Sequence, residues 1–104
     1  MEDLTFKHQA RARAPGTRAS TIVGVVASGN LEVLAERVLQ DTECIVEIRT
    51  AAVGFGDVWT AVIADFVERY SPGGLRLSIN DGGARPDTVA LRLAQAVHLM
   101  EEPV

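Results

Sequence analysis

The sequence predicts an α+β fold, a two-layer sandwich in which a mainly antiparallel sheet of about four strands carries two helices on one face. Two observations predict it. Four segments alternate apolar with polar residues, as strands do when one face is buried, and two segments carry apolar residues at helical spacing. Their order along the chain is strand, strand, strand, helix, strand, helix. Half-polar strands and amphipathic helices pack most simply with both helices on one face of an antiparallel sheet.

The first 20 residues differ from the rest of the chain in charge. They contain four basic residues against two acidic ones, whereas the whole chain has a net charge of −4. We expect residues 1–20 to be a basic arm, either solvated or docked as a strap on an acidic partner or near a phosphate. Leu4 and Phe6 alternate with polar residues, so a short edge strand is the other interpretation. Residues 21–104 are predicted to form a single domain.

A hairpin is predicted at the start of this domain. Residues 21–26 are rich in β-prone side chains, the pattern breaks at Ser28-Gly29-Asn30, and alternation resumes from Leu31 to Ala35. Serine, glycine and asparagine are ordinary turn residues. The hairpin tip is therefore expected to expose the Ser28 hydroxyl.

The third strand is predicted from Cys44 to Thr50. Cys44, Val46 and Ile48 share one face, while charged residues occupy the other. We therefore expect Cys44 to be a core thiol and not a nucleophile, since no histidine is obviously placed to activate it.

A helix, a strand and a second helix complete the prediction. Asp57 is expected to cap the first helix, and Pro86 suits the first turn of the second. The apolar stripe of the first helix is more typical of a core than of a ligand site; its members are Trp59, Val62, Ile63, Phe66, Val67 and Tyr70. The strand between the helices runs through Leu75, Leu77 and Ile79.

Composition excludes several classes of function. The net negative charge, a pI near 5.0 and an aromatic content of 5% argue against nucleic-acid binding. One cysteine permits neither an internal disulfide nor a cysteine metal cluster, which favours the cytoplasm. The longest apolar stretch, residues 22–27, is far shorter than the ~20 residues that span a membrane. We expect no membrane association.

The chain shows no catalytic constellation of its own. His8 lies in the arm and His98 near the end of the last helix, and the acidic residues are scattered over predicted solvent faces. We therefore predict no catalytic residues and no metal ligands. Among the four serines, only Ser28 occupies a hairpin tip. From the residues alone, an ordinary turn serine is the simpler interpretation.

Two stretches carry a resemblance to a known family. Residues 23–34, VGVVASGNLEVL, look like the prosthetic-group site of malonate decarboxylase acyl-carrier (delta) subunits. Residues 79–86, INDGGARP, with Leu91-Arg92-Leu93, look like the second signature of the same family. The likeness covers residues 21–100, and the pair of motifs is more specific than either motif alone. A weaker likeness extends to the citrate lyase acyl-carrier (gamma) subunit.

The resemblance implies a non-catalytic carrier. Ser28 would bear a phosphoribosyl-dephospho-coenzyme A group through a phosphodiester, with Gly29 and Asn30 forming the turn beside it. The thiol of this arm would hold acetyl and malonyl groups as thioesters. The implied partners are the acyltransferase and decarboxylase subunits of malonate decarboxylase and the transferase that attaches the prosthetic group. Catalysis would belong to these partners.

The turn departs from the family pattern at two positions. The family usually has Gly-Ser-Gly-Asp, whereas here Ala27 precedes Ser28 and Asn30 replaces the aspartate. Two alternatives therefore stay open: a citrate lyase carrier subunit, and an unmodified interaction module of the same fold.

Overall fold

The computed structural model describes residues 1–25 and 30–102. Within these ranges the elements are β1 (Glu2–Gln9), β2 (Ser20–Gly24), β3 (Leu31–Arg37), β4 (Glu43–Thr50), α1 (Gly56–Tyr70), β5 (Leu75–Asp81) and α2 (Pro86–Glu101). The predicted α+β class is confirmed. The sheet has five strands where the sequence indicated about four.

The five strands form one mixed sheet in the order β1-β4-β5-β3-β2. Three neighbouring pairs are antiparallel, and β4 pairs with β5 in parallel. A parallel pair needs a crossover connection, and α1 supplies it between β4 and β5. The strand β2 forms one edge of the sheet, next to β3, and β1 forms the other edge.

The additional strand is β1. Its residues Leu4 and Phe6 pair with Ile48 and Val46 of β4 and pack, partly buried, against the core. Only these two apolar side chains reveal the strand in the sequence, and three of the four basic residues that give the segment its arm-like character follow it. Residues 2–9 thus adopt the edge-strand conformation.

The core lies between the sheet and the two helices. Cys44, Val46 and Ile48 point into it and are buried, so the predicted register of this strand is confirmed. Burial raises the pKa of Cys44 to about 12. Its thiol therefore stays protonated at neutral pH and behaves as a small apolar side chain.

The helix starts agree only in part with the sequence prediction. The prediction that Asp57 caps α1 is wrong: the N-cap is Phe55, which makes no side-chain capping hydrogen bond, and Asp57 lies in the first turn. A carboxylate there still stabilises the helix through its dipole. Pro86 begins α2 as predicted. Trp59 and Phe66 are buried in the core, as expected for the apolar stripe of α1.

Candidate functional site

The turn between β2 and β3 is the site that the sequence predicts. Ser28 and Gly29 lie outside the described residues, whereas Asn30 is described. The Asn30 side-chain oxygen accepts a hydrogen bond from the backbone N–H of Leu31 at 2.8 Å. Its backbone oxygen accepts one from the N–H of Gly82 at 2.7 Å. Asn30 therefore fastens the turn to the loop that follows β5.

We call the surrounding region the hairpin end of the sheet. It is formed by Leu31, where β3 begins, and by Thr50 and Asp81, where β4 and β5 finish side by side. Asn30, two residues after Ser28 in the sequence, is the described residue of the predicted site and lies at this end of the sheet.

Asp81 organises the hairpin end. Its side chain is buried, and the carboxylate accepts hydrogen bonds from Thr50 Oγ1 and from the backbone N–H of Ala84, both at 2.8 Å. Thr50 Oγ1 in turn accepts the N–H of Ala52 at 3.1 Å. The chain segments leaving β4 and β5 are thereby tied together. With the bond from Gly82 to Asn30, the two sequence stretches that carry the family resemblance meet at one place.

Arg92 packs against the base of the hairpin. Gly24 has a φ of 82°, and a Cβ at this position would clash with the backbone oxygen of Leu31 and lie 3.0 Å from Arg92 Nε. Arg92 Nη1 donates to Gln95 Oε1 at 3.2 Å. Its shielded Nε has no acceptor among residues 1–25 and 30–102. The Arg92 guanidinium thus places a positive charge beside the base of the hairpin, although the sequence alone assigned Arg92 no role.

An apolar groove of about 210 Å³ opens at the same end, between the start of α1 and the start of α2. Its lining includes Asp81 and the apolar side chains of Phe55, Val58, Trp59 and Val89. Trp59 is 6% exposed, whereas Phe55 is 51% and Val58 42% exposed. The groove was not predicted from the sequence. The available signal was that Phe55 and Val58 are apolar yet fall outside the buried stripe of α1.

Both histidines lie away from the hairpin end. His8 pairs with Cys44, near the other end of β1 and β4, and His98 is in the last turn of α2, about 18 Å along the helix from Pro86. In the part of the chain that the structure describes, no group of three or more histidine, cysteine or acidic side chains could hold a metal ion.

None of the helices within the described ranges combines the length and the apolar character needed to cross a bilayer.

Known proteins resemble this chain over almost its whole length. The family model of the malonate decarboxylase delta subunit (MdcD) matches residues 18–100. The malonate decarboxylase acyl carrier protein of Bradyrhizobium diazoefficiens is 74% identical over 102 residues, which cover 98% of this chain and 97% of that protein. The protein of the same name from Stenotrophomonas maltophilia is 47% identical over 100 residues, covering 96% of this chain and 94% of that one.

A solved structure shares the fold. One chain of the crystal structure of a Pseudomonas malonate decarboxylase hetero-tetramer in complex with malonate superposes with a TM-score of 0.84 at 32% identity, covering 96% of this chain and 99% of that one. The family suggested by the two sequence stretches is confirmed. The chain belongs to the malonate decarboxylase delta subunit family, the acyl carrier proteins of that enzyme.

Proposed function

We propose that this chain is a non-catalytic acyl carrier of malonate decarboxylase in the cytoplasm, and that Ser28 bears a phosphoribosyl-dephospho-coenzyme A arm through a phosphodiester. The observation that carries the proposal is the meeting of the two family stretches at the hairpin end, through the hydrogen bond from Gly82 to Asn30. The second stretch thus supports the turn that contains the attachment serine.

The residues beside the hairpin fit such a group. A phosphodiester is anionic, and Arg92 offers a positive charge against the base of the hairpin. Gly24 allows this close packing, because any side chain there would clash with the Leu31 backbone. When bound, the arm supplies a thiol that holds acyl groups as thioesters.

The chain's own residues position the arm and leave the chemistry to other subunits. Loss of carbon dioxide from a malonyl thioester places negative charge on an enolate, which requires donors aimed at the developing charge. At the hairpin end, the buried polar groups Asp81 and Thr50 already bond to each other and to backbone N–H groups. We therefore assign decarboxylation and acyl exchange to partner subunits, in keeping with the hetero-tetramer of the Pseudomonas relative.

Asn30 bears on the attachment step. The residue makes the bonds to Leu31 and Gly82 with its amide oxygen and its backbone, neither of which needs a charge. Asparagine therefore keeps the support of the turn while removing the negative charge of the family's usual aspartate. A prosthetic-group transferase serving this chain has to accept a neutral residue two positions after the serine.

Replacing Ser28 tests the function. Ser28→Ala should leave the free energy of unfolding unchanged to within about 0.5 kcal/mol, because the sequence predicts an exposed turn serine, and substitutions at such positions change stability little. The variant should gain no prosthetic group, and malonate-dependent carbon dioxide release by the reconstituted complex should fall to background. The measurements are intact mass after expression in the native host and carbon dioxide release.

Ser20→Ala and Ser78→Ala are the matched controls. Both should keep the arm and the activity. Turnover by the Ser28 variant would contradict the assignment. A wild-type protein without added mass would favour the unmodified interaction module, and activity with citrate lyase subunits would favour the citrate lyase carrier.

A further inference from the structure

We propose that the apolar groove between α1 and α2 is a docking site for a subunit whose active site receives the arm, and that it takes one apolar side chain flanked by lysine or arginine. The identity of the partner rests on the proposed function. The chemistry of the occupant follows from the groove itself.

The groove selects an apolar occupant. The exposed side chains of Phe55 and Val58 border it, and the buried ring of Trp59 lies deeper. Asp81 contributes a carboxylate, but this group already accepts hydrogen bonds from Thr50 Oγ1 and the Ala84 N–H. A polar ligand would lose its water shell here and gain few hydrogen bonds, whereas an aliphatic or aromatic side chain would bury apolar surface.

Charge indicates that the occupant belongs to a protein and not to the arm. Asp57 and Asp87 adjoin the lining residues Val58 and Pro86 on the two sides of the groove, and both are exposed. Asp87 lies 3.5 Å from Arg85 Nε. Asp57 forms no ion pair within the described residues. Arg85 largely offsets the charge of Asp87, so Asp57 and Asp81 are the carboxylates that disfavour phosphates and a malonyl group and attract basic side chains.

The groove lies at the hairpin end of the sheet, where docking would be useful to a carrier. Asp81 lines the groove and also pairs with Leu31, where the hairpin strand begins. A subunit that inserts a side chain into the groove is therefore held at the end of the sheet where β3 begins, and a tethered thioester would reach its active site at high local concentration. A contact that centres on one side chain in a groove of about 210 Å³ buries little surface and forms a weak complex. Weak binding suits a carrier that must leave one partner for the next.

The test measures binding without the arm. Carriers with Ser28→Ala are titrated, by calorimetry, against the purified acyltransferase subunit and separately against the purified decarboxylase subunits. Adding Val58→Arg should weaken binding to at least one of them by about tenfold or more, since it blocks the groove and repels basic residues. Asp57→Asn should weaken the same complex severalfold and reduce its salt dependence.

Leu91→Arg is the matched control. Leu91 is 53% exposed on α2 and is not part of the groove lining, so this variant should bind within about twofold of its parent. Equal affinity of the Val58→Arg carrier and its parent for both preparations would overturn the inference, as would a parent that binds neither. The proposed function is judged separately, by the mass gain at Ser28 and carbon dioxide release.

Discussion

The two ends of the sheet are built in different ways. At the hairpin end, short loops surround an apolar groove and a buried carboxylate. The opposite end, which we call the closed end, is tied by long-range bonds from Arg37. Its guanidinium donates to the backbone oxygens of Ala14 at 2.6 Å, Pro15 at 2.9 Å, Met100 at 3.0 Å and Arg18 at 3.1 Å.

Backbone packing completes the closed end. Gly73 is buried, its N–H donates to Ala12 O at 3.2 Å, and its oxygen accepts from the N–H of Ala14 at 2.9 Å. The segment between β1 and β2 is thereby fixed to the β5 side of the molecule. The closed end therefore contributes stability through these bonds, which leaves the hairpin end available for attachment and docking.

The largest effect on stability should come from Gly73→Ala at the closed end. The new Cβ would clash with the backbone oxygens of Ala12 and Asp41, which cannot move as a flexible side chain could. We expect the free energy of unfolding to fall by about 3 kcal/mol. For a domain of this size, this corresponds to a fall in melting temperature of roughly 15 °C. Thermal unfolding followed by circular dichroism measures it.

Gly56→Ala is the control for this prediction. Gly56 begins α1 at a conventional φ, and a Cβ there would meet no atom of the described residues within 4 Å apart from its chain neighbours and the backbone of its own helix. The free energy of unfolding of the Gly56→Ala variant should differ from that of the wild type by less than about 1 kcal/mol. Similar melting temperatures for both variants would contradict the account of the closed end.

A smaller effect is expected from ionising Cys44, which lies toward the closed end. Its pKa is raised from 9.0 to about 12 by burial. As pH rises from about 9 toward 12, the unfolded chain loses the thiol proton while the folded chain retains it. The free energy of unfolding therefore falls over this pH range. Urea unfolding at pH 8 and pH 10.5 should show a larger loss for the wild type than for Cys44→Ala.

Thiol labelling gives an independent check of Cys44. The buried, protonated thiol should react slowly with an aromatic disulfide reagent at pH 8 and rapidly in urea. Fast, complete labelling of the native protein would show that the β4 register is wrong.

The sequence predicted the regular elements better than their long-range contacts. Alternation from Cys44 to Thr50 revealed β4 and its buried face, because the period of a strand is local. The strand β1 was ambiguous, since only Leu4 and Phe6 mark it. The cap of α1 was misplaced because Phe55, the observed N-cap, has no capping side chain.

Contacts between distant residues left no such local signal. Arg37 bonds to Met100 across 63 positions, and the groove depends on two helices meeting. The candidate site was predicted differently: Ser28 stood out as a turn serine, and its role came from the resemblance. The structure adds the support around the turn, through Asn30 and Gly82, while Ser28 itself lies outside the described residues.

The most direct test of the central claim is to locate the prosthetic group along the chain. Trypsin cleaves after Arg18 and Arg37, with no lysine or arginine between them, so one peptide of residues 19–37 contains both Ser20 and Ser28. Fragmentation of this peptide, from protein expressed in the native host, should place the added mass on Ser28. An adduct on Ser20, or an unmodified peptide from an active complex, would contradict the account.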